Sequence, residues 1–215
     1  MPGAPEHLRT LSEAEAKAAL AEYGVAVPTA MRAESTSELA SIVKDIGPPL
    51  VIKAEGLAHK TEAGGVAFAR ASSDEATAAA VQMPCESWLV EEMIDDSVAE
   101  LLVGVVRDPA HGLKLTLAAG GTLTELIGDG VSLLLPVTAA EIEDALDRLR
   151  IAPMLAGYRG NPPADRAAIA RAVLAVQAYV AAHAGRLDEV EINPLLCTPD
   201  RAVAADALIR IGGET

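Results

Sequence analysis

The chain has 215 residues, with 17 Lys+Arg against 31 Asp+Glu and a formal net charge of −14; that length suits one large domain or two small lobes, with a core that needs no staple. So acidic a chain is repelled by duplex phosphate, and aromatics at 2% leave single strands little to stack on, so no nucleic-acid partner is expected. Two cysteines make no disulfide framework, the first ten residues hold no apolar signal core, and no apolar run nears the ~20 residues that span a bilayer, so a soluble cytoplasmic protein without membrane contact is expected.

In chain order, Ser12 followed by Glu15 opens a helix that Gly24 closes. Ser35 and Glu38 open a second, closed by Gly47. The hydroxyl can cap an orphan N–H while the glutamate reaches back. Leu50 to Ala54 is an apolar strand pattern that holds Lys53, and Gly65 to Ala69 is another. Ser72 and Glu75 open a third helix, followed by a strand from Trp88 to Met93. Leu101 to Val106 and Leu113 to Ala119 read as neighbouring strands around a turn at Asp108, Pro109, His111 and Gly112. Thr138 and Glu141 open a fourth helix, and a long fifth is expected from about Pro163 to His183, with Pro162 and Pro163 in its first turn. Leu187 to Ile192 and Ala202 to Ile209 form an expected hairpin around Asn193 to Arg201. Helices interleaved with strands suggest α/β or α+β architecture, with a lobe change near Glu91.

Four stretches carry candidate chemistry. On the last hairpin, Val190 and Ile192 face one way and Glu189, Glu191 and Asn193 the other, while Asp206 interrupts an apolar returning strand. Carboxylates with an amide suit Mg²⁺, and a buried carboxylate needs a partner or a metal. The alternative is a plain Asn193–Pro194 turn with Asp206 a satisfied core acid. Upstream, Lys53 can reach a phosphate, Lys60 and the Gly64–Gly65 pair can bring charge and amides over phosphates, and His59 can act as nucleophile or proton carrier. The alternative is a solvated basic turn. Gly120–Gly121 after a strand permits close backbone approach, or is an ordinary turn. Glu91, Glu92 and Met93 at a strand end, with Glu100 beyond, can read an adenine edge and ribose hydroxyls, or are solvated acids.

Taken together and in order, these stretches resemble the ATP-grasp subunit or domain of the NDP-forming acyl-CoA synthetases, including ADP-forming acetyl-CoA synthetases and, more distantly, succinyl-CoA synthetase β-subunits. The matches run from about Ser12 to Ile211: Pro49 to Lys53, His59 to Val66, Leu89 to Met93, Glu100 to Gly104, Arg107-Asp108-Pro109, Gly120-Gly121, Gly157-Tyr158-Arg159-Gly160, Glu191 to Leu195, and Asp206. The resemblance implies an α+β ATP-grasp fold, residues 1–215, with an N-terminal lobe at 12–90 and a C-terminal lobe at 91–211 holding nucleotide between them. It implies that Lys53 holds nucleotide phosphates, helped by Lys60, Gly64, Gly65, Gly120 and Gly121. Glu91, Glu92 and Met93 form the adenine hinge, and Glu100 binds ribose. Asn193 and Asp206, with Glu191, hold Mg²⁺. His59 is the candidate second phosphoryl carrier. The implied reaction, acid + CoA + ATP ⇌ acyl-CoA + ADP + phosphate, passes phosphate to a phosphohistidine on an α-type CoA-binding partner, which also supplies the acid site.

The chain departs from that family's pattern in four places. Glu62 stands for Asp, His111-Gly112 for Phe-Gly, and Ala118-Ala119-Gly120-Gly121 for Gly-Leu-Gly-Gly. The stretch Val131 to Pro136 lacks the Arg that usually follows the glycine pair. The missing Arg and the altered glycine loop motivate a rival reading, a non-catalytic nucleotide-binding regulatory module; a third reading is a stand-alone ATP-grasp ligase joining a carboxylate to an amine, against which the His59 segment argues.

Overall fold

The computed structural model describes residues 8–56, 64–121 and 128–212. Their strands, in chain order, are β1 (Leu8–Thr10), β2 (Ala30–Ala33), β3 (Leu50–Ala54), β4 (Val66–Ala69), β5 (Trp88–Glu92), β6 (Ala99–Asp108), β7 (Gly112–Ala119), β8 (Gly130–Leu134), β9 (Leu187–Cys197), β10 (Ala202–Ala204) and β11 (Ala207–Gly212). Their helices are α1 (Glu13–Ala21), α2 (Thr36–Ile46), α3 (Ser73–Val81), α4 (Ala139–Asp147), α5 (Ala152–Leu155) and α6 (Arg166–Ala182). The mixture of helices and antiparallel sheets is α+β. None of these helices is long and apolar enough to cross a membrane.

All four expected capping hydroxyls accept the N–H of the glutamate three residues on. At Ser12 and Thr138 the glutamate returns the bond to the cap residue itself, closing a full box. Glu38 and Glu75 instead accept from the N–H groups of Glu34 and Ala71, one residue earlier. The long helix starts later than expected. Asp165 is its N-cap and accepts from the Ala168 N–H, so Pro162 and Pro163 lie before the helix rather than in its first turn. A carboxylate at that position satisfies a donor that proline cannot.

The chain divides into two compact units, one of residues up to Val27 together with those from Asp96, the other Pro28–Asp95. The break therefore falls at 95/96, and residues 12–27 belong with the larger unit, whereas the sequence reading placed them in the N-terminal lobe. The cause is packing: α1 buries Ala16 and Leu20 in the larger core, and β1 pairs with β11.

The smaller unit is a four-stranded antiparallel sheet, β2-β5-β3-β4. Leu50, Ile52 and Ala54 alternate onto one face with Trp88 and Val90, under α2 and α3. The Trp88 indole N–H donates to the Ala80 carbonyl at 2.9 Å, tying α3 to that core.

The larger unit is a seven-stranded sheet, β1-β11-β9-β6-β7-β8, with β10 on β9. Leu101, Val103, Val105, Val190, Ile192 and Ile209 line one core with apolar residues of α1, α4 and α6. The opposite face of this sheet carries the polar residues. One cross-strand row there runs Ser132, Thr116, Gly104, Glu191 and Leu208. The next runs Lys114, Val106, Glu189 and Arg210.

The C-terminal segment is not the simple hairpin expected around Asn193 to Arg201. β9 continues through Asn193 and Pro194 to Cys197, pairing with β11 along its first half and β10 along its second. Asp206 falls in the break between β10 and β11 and is half-buried.

Candidate functional site

In the smaller unit, strand alternation turns Lys53 away from the β3 core residues. Its partner is on the adjacent strand: Lys53 Nζ lies 3.0 Å from Glu91 Oε2, with side chains only 9% and 2% exposed. Val51 sits opposite Glu91 and Lys53 opposite Leu89, so the pair is a diagonal neighbour on one face. Lys53 thus lies on β3, within the expected strand, and Glu91 is a buried counter-ion to it.

That commitment changes what the expected adenine hinge can do. The Glu91 side chain is engaged with Lys53. The N–H groups of Glu92 and Met93 donate to the carbonyls of Thr29 and Pro49, at 3.0 and 2.9 Å. The Glu92 carboxylate accepts from the Thr29 N–H at 3.1 Å. Gly64 adopts a left-handed φ of 70°, and the Gly65 carbonyl accepts from the Ala54 N–H at 2.7 Å, so the glycine pair leads the chain back into β4. His59 and Lys60 lie outside the described residues.

In the larger unit, five expected residues come together. The Gly120 N–H donates to the Glu100 carbonyl at 2.8 Å. A Cβ at Gly120 would lie 2.6 Å from the Leu101 carbonyl carbon, so only glycine lets the two backbones meet. Gly121, at φ 80°, donates its N–H to Asn193 Oδ1 at 3.1 Å. The Asn193 N–H in turn donates to the Asp206 carbonyl at 3.2 Å.

Asn193 is aimed by an irregularity in β9. Leu101 pairs with Leu195 and Val103 with Ile192, so Leu102 alone faces both Asn193 and Pro194. This extra residue is a bulge, which breaks strict alternation and re-aims side chains. Asn193 and Pro194 are both half-exposed between the buried Ile192 and Leu195.

Glu191 completes the cluster. Burial, then the negative charges of Glu189 and Asp206, push its carboxyl above the usual range, against a lowering hydrogen bond to Asn193. A raised carboxyl stabilises the fold below its unfolded value and loses that contribution as pH rises through the folded value. Glu191→Gln is therefore expected to be more stable than the parent chain at pH 7 without divalent cations. The difference should shrink as pH falls through the folded value and vanish below the unfolded one; urea midpoints across pH will show it.

Oxygen donors from Glu191, Asn193 and Asp206 are hard ligands of the kind Mg²⁺ takes, and the mutual repulsion of the acids suits a cation. Among the described residues, no three His, Cys, Asp or Glu side chains are grouped to hold a metal. The fit is thus to a cation that completes its shell with waters and substrate oxygens rather than to an all-protein cage. The sequence reading missed the Arg210–Glu189 ion pair at 3.0 Å beside this cluster, because it depends on the β9–β11 register. Cys197 is no nucleophile: burial, then Glu100, pushes its thiol up to about 12.

Comparison with known proteins gives a consistent picture. A family model described as an ATP-grasp domain matches residues 4–211. The β-subunit of an ADP-forming acetate–CoA ligase from Pyrococcus furiosus is 29% identical, covering 93% of this chain and 90% of that one. A trans-feruloyl-CoA synthase from an unknown prokaryotic organism is 30% identical over 98% of this chain, which spans only 32% of that longer protein. Among solved structures, acetyl-coenzyme A synthetase 1 of Candidatus Korarchaeum cryptofilum, in complex with coenzyme A and Ca-AMPCP, superposes with a TM-score of 0.86 at 27% identity, covering 94% of this chain and 93% of that one. The same enzyme with coenzyme A and Mg-AMPPCP, its phosphohistidine segment pointing towards the nucleotide site, gives 0.80 at 26% identity, with 94% and 92% covered.

Proposed function

From the premise that this chain belongs to the ATP-grasp domain family, we propose that it is the nucleotide-binding β-type subunit of an ADP-forming acyl-CoA synthetase. It moves phosphate between ATP or ADP and a phosphohistidine carried by an α-type CoA-binding partner, within the reaction acid + CoA + ATP ⇌ acyl-CoA + ADP + phosphate. The observation that carries this reading is the hydrogen bond from the Gly121 N–H to Asn193 Oδ1. It joins two motifs 72 positions apart and brings the glycine pair to the Glu191–Asn193–Asp206 cluster.

Each residue then has a physical task. The Lys53 ammonium, held by Glu91, sets positive charge against nucleotide phosphates. The adenine edge is read by Met93 and the first N–H beyond it, that of Ile94, because the donors of Glu92 and Met93 are committed. Glu100, exposed on β6, accepts from ribose hydroxyls. Asn193, Asp206 and Glu191 hold Mg²⁺, which when bound neutralises phosphate oxygens. His59 receives the phosphoryl group next to the nucleotide, splitting one transfer into two. Positioning and charge neutralisation are most of what phosphoryl transfer asks of a protein.

Calorimetric titration of the purified chain with ADP, with and without Mg²⁺, tests the reading. Binding should strengthen with Mg²⁺ and with rising pH, as Glu191 gives up its proton to solvent and the carboxylate becomes free to take the cation. Asp206→Ala should abolish the Mg²⁺ dependence. Mg²⁺-independent binding unchanged in Asp206→Ala would instead favour a regulatory module.

A further inference from the structure

The buried side of α1 carries an ion pair that packing alone does not explain. Glu13 Oε1 and Lys17 Nζ lie 2.7 Å apart, one helical turn from each other, with both side chains 5% exposed. Their neighbours Ala16 and Leu20 sit in the apolar core of the larger unit. Replacing a buried ion pair by well-packed apolar side chains of similar volume is often neutral or stabilising. Such a pair is therefore weak as a stabilising device, and its geometry points elsewhere.

Lys17 Nζ also donates to the Ala205 carbonyl at 3.2 Å, across 188 positions of sequence. Ala205 immediately precedes Asp206, in the break between β10 and β11. Main-chain bonds also hold that short connection. Ala204 donates to the Ala26 carbonyl at 2.8 Å, Ala205 to the Pro194 carbonyl at 3.0 Å, and the Asp206 carbonyl accepts from Asn193 at 3.2 Å. Lys17 thus supplies a charged side-chain donor to this connection. Charge-assisted bonds are the stronger kind.

We propose that Glu13 and Lys17 are a positioning pair for the cation site: Glu13 orients Lys17, Lys17 fixes the Ala205 carbonyl, and the fixed backbone aims the Asp206 carboxylate beside Glu191 and Asn193. This inference rests on the reading of Asp206 as a Mg²⁺ ligand. The pair acts through the backbone of the residue before the ligand. It accounts for a buried charge pair on a nine-residue helix whose other buried residues are apolar.

The test uses Mn²⁺ as a paramagnetic probe, titrated into the full chain with ADP, beside thermal melts of the same samples. Glu13→Leu/Lys17→Met replaces the pair with apolar side chains of similar length. Its melting temperature should match or exceed that of the parent, while Mn²⁺·ADP affinity falls roughly tenfold or more, the size seen when outer-shell groups of metal sites are removed. Glu13→Gln/Lys17→Gln, polar but one bond too short to reach Ala205, covers failure of the apolar pair to fold and should show the same loss. Affinity within about twofold of the parent in either folded variant overturns the proposal, because outer-shell losses are larger. So does affinity that falls only in step with stability. Asp206→Ala runs beside them: if it leaves Mn²⁺·ADP binding intact, the metal-site reading falls and this inference falls with it. If Asp206→Ala loses binding and the paired variants keep it, only the positioning role fails.

Discussion

Lys53→Met should lower stability by about 3–5 kcal/mol, the usual cost of breaking a buried ion pair by removing one partner, and should abolish ADP binding. The reason lies in the Glu91 carboxylate, 2% exposed, which loses the ammonium 3.0 Å away and cannot reach bulk water. The paired change Lys53→Met/Glu91→Leu removes the buried carboxylate as well. It should recover most of the stability, since apolar replacement of a buried pair is often neutral or better. It should not recover nucleotide binding, which on the proposed function needs the ammonium itself. Guanidinium unfolding and calorimetry on the single and double variants separate the two effects. A single variant with the parent's unfolding midpoint would mean that Lys53 and Glu91 do not depend on each other. A double variant that binds ADP normally would remove Lys53 from the nucleotide site.

Gly120→Ala is expected to be nearly as damaging, for a steric reason. Its Cβ would lie 2.6 to 2.9 Å from the carbonyl carbon, oxygen and nitrogen of Leu101, all of them backbone in the middle of the sheet. Overpacking in a well-packed region costs about 1–3 kcal/mol, occasionally more, and no flexible side chain can yield here. β6 and β7 must part at this point, and the Gly121–Asn193 bond is lost with them. Gly121→Ala differs in kind. Its Cβ meets the end of the Glu100 side chain, which can swing away, leaving mainly the penalty of φ 80°, about 1–2 kcal/mol for a residue with a Cβ. Glu100→Ala should therefore relieve part of the Gly121→Ala defect and none of the Gly120→Ala defect, as read in thermal midpoints. Equal relief of both would show that the contact is not backbone against backbone.

The same geometry answers one departure from the family pattern. Ala118 and Ala119, where Gly-Leu is usual, are paired residues of β7 facing Leu102 and Leu101, and the Ala119 N–H donates to Asp129 at 2.9 Å. Those two positions need no unusual backbone freedom; it is Gly120 and Gly121 that do. The stretch without the usual Arg is β8 and the residues after it, at the edge of the sheet. Cations of the polar face come instead from Lys114 on β7 and Arg210 on β11.

By itself the sequence determined what local chemistry controls. Hydroxyl–glutamate pairs marked four helix starts, because a cap is satisfied within four residues. Runs that are mostly apolar, broken by Lys53 in β3 and by Glu91 and Glu92 in β5, marked these strands to within a residue, because a central strand is buried along most of its length. The ordered motifs identified the family. The short edge strands β1, β2 and β8 were not legible. Such strands are set by the neighbour they pair with, and their own residues are largely exposed. Tertiary structure alone decided that α1 packs with the larger sheet, because the sequence of a short helix does not say which core its buried residues join. It alone matched Lys53 with Glu91 and Glu189 with Arg210, because cross-strand pairs depend on register. And it alone brought Lys17 to Ala205, 188 positions away, because a hydrogen bond to a backbone carbonyl leaves no signature in the residue that carries it.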